Sequence, residues 1–136
     1  MVEKFVGTWN LVSSENFDEY MKAVGMSFAS RQVGNLAKPK LVVNVGADGV
    51  ISMKAESTLK TAEVKFKLNE ECDETTADGR KAKSLFTLEN GKLVQTQSWD
   101  GKTTTLEREI QDDGKHMAVK CTMNDVVAVR TYEKSA

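Results

Sequence analysis

The stretch Lys92-Leu93-Val94-Gln95-Thr96-Gln97-Ser98-Trp99-Asp100-Gly101-Lys102-Thr103-Thr104-Thr105-Leu106-Glu107-Arg108-Glu109-Ile110 decides the fold. Asp100-Gly101 separates two runs that alternate apolar and polar residues, the pattern of a β-hairpin closed by a tight turn. Side chains alternate faces along a strand. Thr104, Leu106, Arg108 and Ile110 therefore share one face, and Glu107 and Glu109 share the other. Arg108 thus points the same way as the apolar residues. Taking a guanidinium out of water costs roughly several kcal/mol unless it is paired, so an anion, a protein carboxylate or trapped water is expected beside it. The plainer alternative is a surface cation on an edge strand. On the preceding strand Gln95, Gln97 and Trp99 share a face with Leu93, a mixture suited to a hydrated interior. In a dry core each unpaired amide would cost about 1–3 kcal/mol.

The same pattern continues outward from this hairpin. Ala47-Asp48-Gly49, Asp78-Gly79, Glu89-Asn90-Gly91, Asp112-Asp113-Gly114 and Asn124-Asp125 are further turn signals after Pro39. With Phe5 to Ser14 they give about ten short strands, which implies a sandwich or a closed up-and-down barrel. A barrel of this size that side chains do not fill encloses a ligand cavity. In the last strand Arg130 and Tyr132 share a face with Val126 and Ala128, but Val127 and Val129 make the opposite face apolar too. Periodicity alone leaves the direction of Arg130 open.

One segment has a different period. Phe17, Tyr20, Met21 and Val24 recur at helical spacing, Asn16 and Glu19 form a candidate capping box, and Gly25 is a suitable stop. A second short helix is expected from about Ser27 to Leu36, with Phe28, Val33 and Leu36 on its apolar side and Pro39 preventing continuation.

A length of 136 residues fits one domain, and a net charge of -1 gives no overall attraction to nucleic acid or anionic membrane. No apolar run approaches the roughly 20 residues of a membrane-spanning helix, and no signal peptide is expected. Cys72 and Cys121 are expected to be free thiols. The single histidine, His116, falls on the polar face opposite Met117, Val119 and Cys121, so it has no nucleophile to activate. No cluster of His and Cys has metal-ligand spacing. An enzyme is not expected.

The run Phe5-Val6-Gly7-Thr8-Trp9-Asn10-Leu11 through Asn16-Phe17-Asp18-Glu19-Tyr20-Met21 resembles the signature of the intracellular lipid-binding proteins. The similarity extends through Ala37-Lys38-Pro39, Glu56-Ser57-Thr58, Thr75-Thr76-Ala77-Asp78-Gly79-Arg80, Trp99-Asp100-Gly101-Lys102 and Arg130-Thr131-Tyr132-Glu133-Lys134, so it covers essentially the whole chain. It is nearest to the branch of adipocyte, heart, brain, epidermal and myelin fatty-acid-binding proteins. The resemblance implies an all-β, lipocalin-like fold over residues 1–136: a ten-stranded antiparallel up-and-down β-barrel, or β-clam, under a helix-turn-helix lid. It implies a monomeric cytoplasmic carrier, present also in the nucleus in some relatives, that holds a long-chain fatty acid without a cofactor.

On this resemblance Arg108, Arg130 and Tyr132 bind the ligand carboxylate. Phe17, Tyr20, Met21, Ala37, Leu59, Ala77 and Asp78 line the ligand chain or the portal. Lys22, Arg31, Lys38 and Lys60 lie on or near the lid and portal, either as docking points for transient contact with anionic membranes or as ordinary solvated surface cations. A retinoic acid carrier of the same family keeps the same carboxylate site and is the alternative. The chain departs from the pattern in three places: Leu59 stands where relatives often have phenylalanine, Gln32 replaces a basic residue linked to nuclear import, and the hairpin through Gln111 to His116 is longer.

Overall fold

The Asp100-Gly101 turn forms as read, with φ of 45° and 73° at its two residues. Asn90 and Gly91 repeat the arrangement at 53° and 81°. Paired positive φ values twist a two-residue connection in the sense its flanking strands need, which is why Asn-Gly and Asp-Gly occupy these places. The computed structural model describes residues 2–36, 38–57, 61–76 and 79–135.

Ten strands follow one another: β1 (Gly7–Glu15), β2 (Lys40–Val45), β3 (Ile51–Glu56), β4 (Thr61–Phe66), β5 (Glu71–Thr75), β6 (Lys81–Glu89), β7 (Lys92–Trp99), β8 (Lys102–Ile110), β9 (His116–Met123) and β10 (Val126–Lys134). Between β1 and β2 lie α1 (Phe17–Val24) and α2 (Phe28–Leu36). One sheet contains every strand in the order β4-β3-β2-β1-β10-β9-β8-β7-β6-β5, with all pairings antiparallel. The sheet curls into a nearly closed barrel, and β1 pairs with β2 on one side and with β10 on the other, which brings the first and last strands together. The rings of Phe66 at the end of β4 and Phe86 on β6 stack at 3.6 Å, closing the side where β4 and β5 meet. Trp9, Met53, Phe86, Leu93, Met117 and Ala128 are among the apolar residues buried on the inner face.

Four details differ from the expectations. The chain enters β1 through a 3-10 turn, Val2–Phe5, instead of in strand conformation from Phe5. Burial of Phe5 and the bond from Trp9 Nε1 to the Phe5 carbonyl, 3.0 Å, hold that turn against the core. Asn16 forms no capping box: it has φ 62°, and its amide donates instead to the Val127 carbonyl at 2.9 Å, tying the start of α1 to β10. A turn absent from the expected set connects β4 and β5, with Asn69 at φ 66°.

The fourth detail concerns α2, whose direction periodicity left open. Its expected apolar side does not pack inward: Phe28 and Leu36 are 67% and 73% exposed, and no residue of the helix is buried. The side that meets α1 is the one carrying Gly34, where an added Cβ would stand 2.6 Å from Met21 Sδ. The helical period is the same for an inward and an outward apolar stripe, and close approach to buried Met21 selected the glycine side. α1 itself ends as expected, on Gly25 with φ 99° and its N–H directed to Met21 and Lys22 carbonyls.

Candidate ligand-binding site

Register brings the two arginines of the last strands together. Arg108 on β8 and Arg130 on β10 both lie directly opposite Val119 of β9, on its two sides. With neighbouring strands about 4.8 Å apart, their Cα atoms are separated by about 10 Å. Both sit on the inner face. The longer Gln111–Lys115 connection does not disturb this alignment, because Gln111 and His116 close it by a 2.8 Å backbone bond. Tyr132 occupies the next inward position, opposite Met117, which in turn faces Ile110.

The guanidinium groups are incompletely satisfied. Arg108 Nη2 donates to Gln95 Oε1 at 3.0 Å, while its Nε and Nη1 are buried and have no protein partner. Arg108 keeps some exposed surface elsewhere, so the burial falls on its polar head. Arg130 is 9% exposed and its Nε is likewise without a partner. The Arg130 guanidinium carbon lies 3.9 Å from the centre of the Phe17 ring, which places α1 over it. Burial pulls the Arg108 pKa below the ordinary arginine value, opposed by Cys121, Tyr132 and Glu74. Burial also raises the Tyr132 phenol, with Arg130 and Arg108 acting in the other direction.

Beside this cluster runs a polar network on β5 to β8. Glu74 Oε1 accepts from Ser84 Oγ at 2.6 Å, Gln95 Nε2 at 3.0 Å and Gln97 Nε2 at 3.0 Å. Gln97 Oε1 in turn accepts from Arg80 Nη1 at 3.3 Å, and Arg80 lies over the Trp99 ring at 4.3 Å. Sequence reasoning found the two glutamines and Trp99 but missed Glu74, Ser84 and Arg80. Glu74 stands between outward Asp73 and Thr75 in a five-residue strand, too short for alternation to single out one acid among three. Tyr20 Oη is 2.8 Å from Thr104 Oγ1. Because the Thr104 hydroxyl donates to the Thr122 carbonyl at 2.7 Å, Tyr20 is the donor in that pair. Burial pushes its phenol up to about 12.

Of the remaining expected residues, Met21 is buried between α1 and α2 and Phe17 stacks on Tyr20 at 5.9 Å. Ala37, Leu59, Lys60, Ala77 and Asp78 lie outside the described residues. A cleft of about 470 Å3 between β1 and the helices, bordered by Leu11, Phe17, Gly34 and Lys38, reaches Arg130. A separate groove of about 780 Å3 along β5 to β8 borders Glu74 and Trp99 but includes neither Arg108 nor Arg130. Cys72 and Cys121 are free, and burial pushes the Cys121 thiol up to about 11. His116 is held outside the barrel by Asp113, at 2.6 Å, and Glu133, at 3.2 Å. Among the described residues no group of three His, Cys, Asp or Glu side chains is placed to hold a metal, and no helix is long and apolar enough to cross a membrane.

Comparison with known proteins gives consistent matches along the full chain. Residues 6–135 match the model of the Lipocalin / cytosolic fatty-acid binding protein family. An adipocyte fatty acid-binding protein of Pygoscelis papua is 50% identical over 135 residues, covering 99% of this chain and 100% of that protein. Among solved structures, fatty-acid-binding protein 1 of Echinococcus granulosus superposes with a TM-score of 0.94 at 41% identity, covering 98% of this chain and 99% of that one. The Schistosoma mansoni fatty acid binding protein in complex with arachidonic acid gives 0.92 at 38% identity, covering 99% and 98%.

Proposed function

The chain belongs to the lipocalin / cytosolic fatty-acid binding protein family, and we propose that it is a cytosolic carrier holding one long-chain fatty acid inside the barrel, its carboxylate on Arg108, Arg130 and Tyr132. The observation that carries this reading is the pair of inward arginines flanking Val119, with buried guanidinium nitrogens that no protein group satisfies. A buried cation without a partner is costly, and a carboxylate supplies both the charge and the acceptors. Tyr132, two residues from Arg130 on the same face, adds a hydroxyl donor. The bound arachidonic acid of the Schistosoma relative supports the same class of ligand.

Affinity and selectivity have different sources. About fifteen methylenes at about 0.8 kcal/mol each supply on the order of 10 kcal/mol before ordering costs. Charge-assisted bonds to the headgroup, about 1.5–3 kcal/mol each, are partly offset by desolvation of the carboxylate. The acyl chain therefore provides most of the binding energy, and the arginines select an acid and set its direction. No step of this function requires bond making, in keeping with a family of lipid carriers.

The exposed apolar side of α2 suits delivery by contact with a lipid surface. Phe28 and Leu36 stand out from the helix, Leu36 two residues before Lys38, while Lys22 of α1 is paired with Glu19 at 3.4 Å and Asp18 at 3.8 Å. Arg31 contributes less charge than its sequence position implies, because it is engaged with Asp18 at 3.3 Å and with the Met26 carbonyl at 3.0 Å.

Organic extraction and mass spectrometry of protein purified from a heterologous host test the ligand assignment. A copurified long-chain fatty acid is the expected result. A retinoid in its place would move the assignment to the alternative carrier, and empty protein that takes up no added fatty acid would end it.

A further inference from the structure

We propose that Glu74 is a positioning residue for Arg108, acting through the side-chain amide of Gln95. The inference rests on the carboxylate reading above and adds to it the group that aims one of its arginines. A carboxylate has lone pairs and no protons, so it can only accept. Its Oε1 takes Gln95 Nε2 at 3.0 Å, and Gln95 Nε2 also reaches Ser84 Oγ at 3.1 Å. With its nitrogen committed on that side, the Gln95 amide must present its oxygen on the other, where Arg108 Nη2 meets it at 3.0 Å. A flipped amide would set oxygen against carboxylate and nitrogen against guanidinium, losing both bonds at once. Gln97 obeys the same constraint: its nitrogen is on Glu74 and its oxygen on Arg80. One carboxylate oxygen thus orients two amides.

The interposed amide has a second consequence. Were Glu74 in direct contact with Arg108, the two would form an ion pair that an incoming anion would have to displace. Through Gln95 the arginine is anchored by one nitrogen to a neutral acceptor, while Nε and Nη1 stay without a protein partner. Orientation is achieved without neutralisation. Ser84, fully buried and donating to Glu74 at 2.6 Å, fixes the carboxylate from the β6 side.

The test compares oleic acid with oleyl alcohol, by displacement of a fluorescent probe, in wild type, Glu74→Gln, Gln95→Met and the double variant. A neutral glutamine at 74 no longer dictates the amide of Gln95. Glu74→Gln is expected to reduce the preference for acid over alcohol by about fivefold, the scale of one lost hydrogen bond. Added to Gln95→Met, the same substitution is expected to change nothing further. A plain through-space effect of the charge has the opposite sign, since removing a negative group favours an anion, and it persists in both backgrounds. An unchanged or increased preference in Glu74→Gln, or an equal drop in the Gln95→Met background, overturns the proposal.

Should Glu74→Gln fail to fold, Gln95→Met alone must still lose preference, and retention of it counts against the relay. Wild type that shows no preference for acid overturns the carboxylate reading. The relay is then decided in ligand-free protein by nuclear magnetic resonance of the Gln95 side-chain amide. Slow exchange in wild type that is lost in Glu74→Gln supports it, and identical exchange in both contradicts it.

Discussion

Arg108 and Arg130 face the same residue, Val119, from opposite sides of β9. Two strand spacings therefore separate them, a distance that a single carboxylate with one arginine on each side can span directly or through one water. The arrangement is set by backbone pairing and survives changes of side-chain rotamer.

Substitution at either arginine is expected to weaken fatty acid and leave fatty alcohol largely unaffected. Arg130→Gln removes charge-assisted bonds of about 1.5–3 kcal/mol, a loss of roughly tenfold or more in affinity. Titration calorimetry with oleic acid measures it. An affinity equal to that of wild type would remove Arg130 from the binding site.

The lid depends on Gly34. A valine there places its Cβ in the space of Met21 Sδ, so either the buried Met21 side chain shifts or α1 and α2 part. Overpacking of this kind costs about 1–3 kcal/mol. Gly34→Val is expected to lower the midpoint of thermal unfolding and to speed ligand exchange measured by stopped flow. A variant as stable as wild type would show that the Met21 side chain yields without cost and that the lid does not depend on Gly34.

Tyr20 and Thr104 tie α1 to β8 inside the barrel. Thr104→Val leaves the Tyr20 hydroxyl buried without its acceptor and frees the Thr122 carbonyl, an expected cost of about 1–3 kcal/mol. Tyr20→Phe in the Thr104→Val background should recover part of that loss, because both polar partners are then gone. Denaturant unfolding of the two variants decides it, and additive losses would show that the hydroxyls do not act as a pair.

His116 couples the β8–β9 hairpin to β10 through two carboxylates, and its pKa is raised chiefly by the hydrogen bond its ring donates to Asp113. A raised folded-state pKa contributes stability that is full below the unfolded value and is lost as pH rises through the folded one. Asp113 is lowered, first by the Lys115 backbone N–H, so its contribution is full above its unfolded value and is lost as pH falls through the folded value. The clasp is therefore strongest between the carboxylate and imidazole ranges. His116→Gln is expected to flatten the alkaline side of the stability profile, and a profile that keeps its slope there would assign it to another group.

How far the sequence could be read depended on what each residue's alternation had to compete with. The Asp100-Gly101 and Asn90-Gly91 turns were legible because paired positive φ strongly favours Gly and the short polar residues Asn and Asp. Arg108 was legible because Glu107 and Glu109 marked the opposite face as wet. Arg130 was not, since Val127 and Val129 made both faces apolar; pairing opposite Val119 decides its direction. Whether the apolar side of α2 faces in or out was not legible because a helical stripe carries no sign, and Gly34 against Met21 supplies it. Glu74 was hidden in a short acidic strand, and its partners become visible only when β5, β6 and β7 lie side by side.

The most direct test of the carboxylate assignment is to bind oleic acid labelled with carbon-13 at its carboxyl and follow that resonance through an acid titration. Between Arg108 and Arg130 the carboxylate is stabilised in its charged form. Its resonance is predicted to hold its position well below the pH at which a solvent-exposed carboxyl titrates, and Arg130→Gln should move the transition upward. A bound resonance that titrates like an ordinary exposed carboxyl, the same in wild type and variant, would contradict the account.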